Sequence, residues 1–395
     1  MKKKILILNG TISEIPIIRK AREMSFYVVT TGNMPELPGH GEADEYICED
    51  YSNGPAILEL VKKNGIEGIV SCANDFGVIT CAYVAEKMGW KGHDSYENAL
   101  LMHRKDGFRR YFTQKGFPIP ASETFTDLPS AEAYCRACRY PVMIKADDLT
   151  GGKGIQKAVD PAQALAALEN AFDLSRDKKV LVQEFLEGVQ QSIVVFLMDR
   201  RIAVTSCSNI YCMRNPYLVQ AETYPATDFS LVEGTLKGMI ETMAEDLQLV
   251  DGIFSFQYIV RDGVPYVIDM MRRCFGNETL LLADMRTGFP WEEAYIRAAL
   301  DMGYDSLTWK KQIYRYCGHY GVMADRNGIL ESWSLPEDIE GRLFKKTVNL
   351  ENGSVIRNYL TEKIAHIYFH YDDWETMNRE IAEYNDRIIV SVRDQ

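Results

Sequence analysis

The sequence predicts an α/β protein: a Rossmann-like N-terminal domain, then a small α+β lobe, then a hairpin-rich remainder. Three observations carry that expectation. Over the first hundred residues, short apolar runs alternate with helical ones, the pattern of a parallel sheet with helices on both faces. At Pro141 to Asp160, "PVMIKADDLTGGKGIQKAVD" puts a lysine at the end of an apolar run, then a loop with three glycines and a second lysine. Further on, "QSIVVFLMDRRIAVTSCSNIYC" and "FQYIVRDGVPYVIDMMRR" read as hairpins, the second turned by Asp262-Gly263.

In order, "KILIL", "FYVVTT", "EYICED" and "GIVSC" read as strands. Between them "SEIPIIRKAREM" reads as a helix capped by Ser13, and "GPAILELVKKN" as another. "GVITCAYVAEKMG" is a helix ended by Gly89. The first turn, "NGTISEIP", lacks G-x-G-x-x-G, which argues against a dinucleotide site. Residues 95 to 120 read as one helix stopped by Gly116 and the prolines after it. "PVMIKA" and "IQKAV" are strands joined by the glycine loop. "DPAQALAALENAF" is a helix with Asp160 as cap and Pro161 in its first turn, and "KVLVQEFL" is a strand. A long helix, "LVEGTLKGMIETMAEDLQL", separates the two hairpins. From about 310 the chain is strand-rich, ending in the helix "DWETMNREIAEYN" and the strand "RIIVSV".

A chain of 395 residues exceeds one ordinary core, so two or three domains are expected. With 46% hydrophobic and 25% charged residues the composition is that of a soluble globular protein. A net charge of -12 argues against sequence-independent nucleic-acid binding. The opening "MKKKILILNG" is too short for a signal peptide, and no run reaches membrane length. Nine scattered cysteines point to reduced thiols and a cytoplasmic location. Cys135 and Cys138 form a CxxC on a helical stretch with no second pair, which favours surface or core cysteines over zinc.

The glycine loop allows two readings, a phosphate cradle or a hairpin loop with a solvated lysine. Gln257 and Asp269 fall on facing strands of the second hairpin. They suit a Mg²⁺ anchor, or Asp269 pairs with Arg272 or Arg273. Asn74-Asp75 ends a strand of the lead domain and is either a ligand contact or a helix cap at Asp75. Arg214 is either a substrate contact or an exposed loop arginine.

Taken in this order, the parts resemble the ATP-grasp superfamily over almost the whole chain, and the tail is similar to the closing subdomain of biotin carboxylase and its relatives. The resemblance implies a Rossmann-like pre-ATP-grasp domain (1–95), a two-lobed α+β ATP-grasp domain (96–305) and a small strand-rich C-terminal region (306–395). The small lobe would run over about 120–188 and the large lobe over about 189–305. By resemblance, Lys105 and Lys145 are phosphate lysines and Gly151, Gly152, Lys153 and Gly154 belong to the covering loop. Glu184 lies at the adenine edge, the backbone of Phe185 and Leu186 addresses adenine, and Glu187 takes the ribose. Gln257 and Asp269 match the metal ligands, for Mg²⁺ or Mn²⁺, and Arg273 matches the arginine that stabilises the transferring phosphoryl group. Three positions depart from the pattern: Asp269 replaces a glutamate, Met271 an asparagine and Gln190 a glutamate. Asn277 or Glu278 is a candidate substitute oxygen. The implied activity is an ATP-dependent carboxylate–amine ligase acting on small molecules, with no nucleic-acid or membrane partner and a homodimer allowed. The alternatives are a bicarbonate-activating enzyme or a non-catalytic nucleotide binder.

Overall fold

The computed structural model describes residues 2–71, 73–149 and 154–394. The lead domain contains β1 (Lys4–Leu8), α1 (Ile15–Glu23), β2 (Tyr27–Gly32), β3 (Glu45–Cys48), α2 (Gly54–Lys63), β4 (Ile69–Val70) and α3 (Asp75–Met88). Its strands run parallel in the order β3-β2-β1-β4. Ile5 to Leu8 are fully buried, as a strand covered on both faces requires. Ser13 does not cap α1. Glu14 takes the cap position, and its buried carboxylate accepts from Thr11 N–H (2.8 Å), Thr11 Oγ1 (2.6 Å) and Ala73 N–H (2.9 Å). That carboxylate staples the turn after β1 to the end of β4.

The segment expected as one helix is two, α4 (Tyr96–His103) and α5 (Lys105–Lys115). Arg104 breaks them with an extended backbone (φ -101, ψ 130). The two helices pack tightly at the break: a Cβ on Gly107 would sit 2.5 Å from the Leu101 carbonyl. Gly116 then ends α5 with φ +67, as expected.

The small lobe comprises β5 (Ser122–Phe125), α6 (Leu128–Ala137), β6 (Val142–Ala146), β7 (Ile155–Ala158), α7 (Pro161–Leu174) and β8 (Val180–Glu184). Its strands pair antiparallel in the order β5-β8-β6-β7. Asp160 caps α7 by accepting from Gln163 N–H at 2.9 Å. The remaining elements are β9 (Gln190–Met198), β10 (Arg201–Tyr211), β11 (Ala221–Tyr224), α8 (Phe229–Asp246), β12 (Gly252–Arg261), β13 (Val264–Met271), α9 (Leu280–Thr287) and α10 (Trp291–Ala299), followed by β14 (Tyr316–Val322), β15 (Gly328–Ser334), α11 (Glu337–Glu340), β16 (Leu343–Val348), β17 (Val355–Ile356), β18 (Ala365–Tyr371), α12 (Trp374–Ile381), α13 (Tyr384–Arg387) and β19 (Ile389–Arg393). One eight-stranded sheet, β13-β12-β9-β10-β11-β14-β18-β16, runs through both the hairpin region and the tail. Both hairpin turns carry two positive φ values, 53 and 63 at Asp199 and Arg200, 53 and 74 at Asp262 and Gly263, the signature of tight two-residue turns. No described helix is long and apolar enough to cross a membrane.

The lead segment is tied to the sheet by a buried ion pair. Arg272 donates from Nε and Nη2 to the two Asp94 oxygens (2.8 and 3.1 Å), and from Nη1 and Nη2 to the Ile253 and Val250 carbonyls (2.9 and 2.8 Å). Removing one partner of such a pair strands a buried charge. Asp94→Ala is therefore expected to cost on the order of 3–5 kcal/mol in urea unfolding. A loss below about 1 kcal/mol, the scale of a surface pair, would show that the pair does not hold the segments together.

Candidate active site

A cavity of about 760 Å³ opens between the small lobe and the large sheet. Its small-lobe wall is set by strand register. Lys145 pairs with Ile155 and Met143 with Lys157, so all four residues share one face and all four line the cavity. Lys145 makes no hydrogen bond or ion pair among the described residues. Burial, helped by the Arg109 and Lys105 charges, presses its ammonium down to about 7, while Asp269 pulls the other way. A half-buried cation with no carboxylate in contact fits an incoming polyanion.

Lys105 opens α5 and donates from Nζ to the Asp147 and Leu149 carbonyls (3.0 and 2.6 Å). It thus holds the start of the glycine loop while lining the cavity. Gly154 closes that loop with φ +63, and its carbonyl accepts from Ala146 N–H at 2.9 Å. Thr150, Gly151, Gly152 and Lys153 lie outside the described residues.

At the hinge, Glu184, Phe185 and Leu186 line the cavity. The Glu184 carboxylate accepts from Ala121 N–H at 3.2 Å and faces Arg261 at 3.7 Å. The Phe185 N–H donates to the Pro141 carbonyl at 3.1 Å, which leaves its carbonyl as the backbone group open to a ring. The Leu186 N–H has no partner among the described residues. Glu187 is exposed and lies off the cavity lining. Sequence reasoning missed Lys157, whose Nζ stands 3.7 Å from the Phe185 ring centroid.

On the large sheet, Asp269 stands directly opposite Gln257. A bulge produces this pairing. The two-residue turn alone would oppose Gln257 to Ile268, but the ladder skips Ile268 and brings Asp269 into place. Asp269 has no ion pair among the described residues, because Arg272 is taken by Asp94 and Arg273 by Asp75. Gln257 Oε1 accepts from Gln190 Nε2 at 2.8 Å. Arg109, also missed, is buried behind this wall, where burial lowers its guanidinium to about 10 against the pull of Asp269 and Asp147. Among the described residues no three His, Cys, Asp or Glu side chains form a metal cage. One carboxylate and one amide oxygen fit a hard cation completed by phosphates and water.

Neither substitute oxygen is solvent-exposed, as simple loop residues would be. Glu278 turns to the C-terminal strands, accepting from Lys345 Nζ (2.6 Å) and the Tyr368 hydroxyl (2.9 Å), so it does not serve Asp269. Asn277 lines the cavity and accepts from Lys363 Nζ at 3.1 Å. Met271, buried, adds only a thioether to the wall.

Asn74, not Asp75, caps α3, accepting from Phe76 N–H at 3.0 Å. Asp75 lines the cavity and joins Arg273 Nε (2.6 Å) and His103 Nδ1 (3.2 Å). Burial alone would raise the Asp75 carboxyl, but Arg273 and His103 hold it well below the usual carboxylate range. Arg214 lies off the lining.

Because Lys145 titrates lower in the folded chain than in the unfolded one, the unfolded chain binds more protons between about pH 7 and 10, and stability from this group rises with pH there. Lys145→Met should therefore raise the melting temperature at pH 6.5, with the gain shrinking toward pH 10. A gain that is constant with pH would show that Lys145 is not a half-buried, uncompensated cation.

Residues 104–211 match the family profile for the phosphoribosylglycinamide synthetase, ATP-grasp (A) domain. The phosphoribosylamine–glycine ligase of Listeria monocytogenes is 33% identical over 122 residues, 30% of this chain and 29% of that enzyme. The enzyme of the same name from Allochromatium vinosum is 25% identical over 287 residues, 66% of each chain. The chain thus matches less than two thirds of the length of these relatives. Among solved structures, L-amino acid ligase from Bacillus licheniformis superposes with a TM-score of 0.81 at 15% identity, over 100% of this chain and 99% of that one.

Proposed function

The chain belongs to the ATP-grasp superfamily, and from that premise we propose that it is an ATP-dependent ligase joining a small-molecule carboxylate to an amine. The γ-phosphoryl group of ATP passes to a carboxylate oxygen and ADP leaves. The amine nitrogen then attacks the acyl carbon, phosphate leaves and a proton is lost. The names of the sequence relatives favour C–N bond formation, since they are phosphoribosylamine–glycine ligases.

One observation carries the reading. A half-buried cation without an ion pair, Lys145, and a carboxylate without one, Asp269, face the same cavity from its two walls. That charge pattern suits a metal–polyphosphate. In this reading Lys145 and Lys105 meet the phosphates, with Gly151, Gly152, Lys153 and Gly154 as the loop above them. The Leu186 N–H serves adenine beside Glu184, and Phe185 with Lys157 walls the ring. Asp269 and Gln257 would hold Mg²⁺, which supplies charge neutralisation at the transferring phosphoryl group. Arg273, fixed by Asp75, adds a cation where negative charge develops.

The test is an ADP-release screen of the full chain against pooled amino acids and small carboxylates, with and without amines. Release should require both partners. Release that needs bicarbonate instead, or none with any mixture, would overturn the ligase reading. Lys145→Ala should weaken ATP binding by about 1.5–3 kcal/mol, the scale of a charge-assisted hydrogen bond, and an unchanged dissociation constant by isothermal titration would put Lys145 outside the site. Asp269→Asn should lose far more Mg²⁺-dependent turnover than metal-free nucleotide affinity. Equal losses in both would count against Asp269 as the metal anchor.

A further inference from the structure

The same cavity holds a second half-buried lysine without a carboxylate partner. Lys363 sits just before β18 and donates from Nζ to the Val219 carbonyl (2.8 Å) and Asn277 Oδ1 (3.1 Å). An ammonium has three N–H donors, so one is left without an acceptor among the described residues. The carboxylates around it are engaged elsewhere. Glu222 accepts from the Tyr224 hydroxyl (2.6 Å) and Ser208 Oγ (3.2 Å), with His319 Nε2 at 3.9 Å, and Glu278 is taken by Lys345. No carboxylate among the described residues lies within 4 Å of the Lys363 nitrogen. Burial presses its ammonium down to about 8, with Glu222 and Cys212 pulling the other way.

Position separates this lysine from the hinge. Its two oxygen partners lie on the loop after β10 and on the loop after β13, and Asn277 is four residues beyond Arg273. The third donor therefore belongs to the reacting end of the cavity. We infer that Lys363 binds an anionic head group, a carboxylate or a phosphate monoester, on the non-nucleotide substrate, oriented by Asn277 and the Val219 carbonyl. The inference rests on the ligase reading and narrows it to substrates that keep a negative charge apart from the carboxylate being activated.

Isothermal titration of the full chain, with Mg²⁺ and the non-hydrolysable analogue AMP-PNP present, tests it. The probes are L-aspartate and L-glutamate, their side-chain amides L-asparagine and L-glutamine, O-phosphoethanolamine and ethanolamine. At least one acid should bind, and its counterpart lacking that negative charge should not. Lys363→Met should weaken that acid by about ten-fold or more, the loss of one charge-assisted hydrogen bond, with AMP-PNP affinity unchanged. Lys363→Arg should keep part of it, and Lys363→Gln replaces the Met variant if that one does not fold. Preference for an amino acid over O-phosphoethanolamine assigns a carboxylate, and the reverse assigns a phosphate. Amides that bind as well as acids, an unaffected Lys363→Met, or no binding by any probe overturns the inference. A wild type that binds an acid through Lys363 but releases no ADP with any mixture sinks the ligase reading alone. ADP release with an unaffected Lys363→Met sinks the Lys363 assignment alone.

Discussion

Arg272 and Arg273, consecutive just after β13, decide how the cavity is built. Each is committed to an aspartate from another part of the chain, Asp94 before α4 and Asp75 at the start of α3. The first pair is almost fully buried and bidentate, so its geometry is tightly specified. It fixes the segment before α4 against the strand that carries Asp269. The second pair holds Arg273 on the cavity wall and draws in His103. Because both arginines are used this way, neither neutralises Asp269, and the cavity keeps a carboxylate free for another cation.

The same contrast separates the lysines. Lys105 gives two of its three donors to the Asp147 and Leu149 carbonyls and so braces the loop. Lys145 and Lys363 are half-buried, held below the ordinary lysine range and without ion pairs among the described residues. Burying a charge without a partner is costly, and a fold tolerates it where a ligand supplies the partner. Two such sites in one cavity, on the small lobe and beside the C-terminal strands, divide it into two anion-seeking ends.

Much of this was legible in the sequence, and the misses share a cause. The alternation of the lead domain, the glycine-ended helices and the aspartate-glycine turn are local signals, and they hold in the structure. Ser13 looked like a cap because it has a cap's chemistry, but the cap position of α1 falls one residue later at Glu14, whose carboxylate is drawn to Thr11 and Ala73 instead of capping the helix. The break at Arg104 comes with a close approach of Gly107 to Leu101, a tertiary contact that helical periodicity does not reveal. The turn at Asp262-Gly263 put Gln257 and Asp269 on facing strands, yet only the bulge at Ile268 makes them direct neighbours. Lys157 and Lys363 gave no signal, since a lone lysine at the edge of an apolar run reads as solvated. Strand register places the first beside Lys145, and tertiary packing sets the second between Val219 and Asn277.

Met271 gives the proposed metal site its character. It is two residues beyond Asp269 on the same strand and lines the same cavity, but a thioether is a poor ligand for a hard cation. Gln257 keeps an oxygen that already accepts from Gln190, so its remaining lone pair is all it can offer. With Glu278 turned toward Lys345, the wall presents one negative charge and one neutral oxygen. So small a donor set binds Mg²⁺ weakly on its own, because that ion gives up water reluctantly and gains only one charge contact in return. Phosphate oxygens are the natural remainder of its octahedron. The metal would therefore enter with the nucleotide, and the Lys145 wall that attracts the phosphates would also set the metal's occupancy.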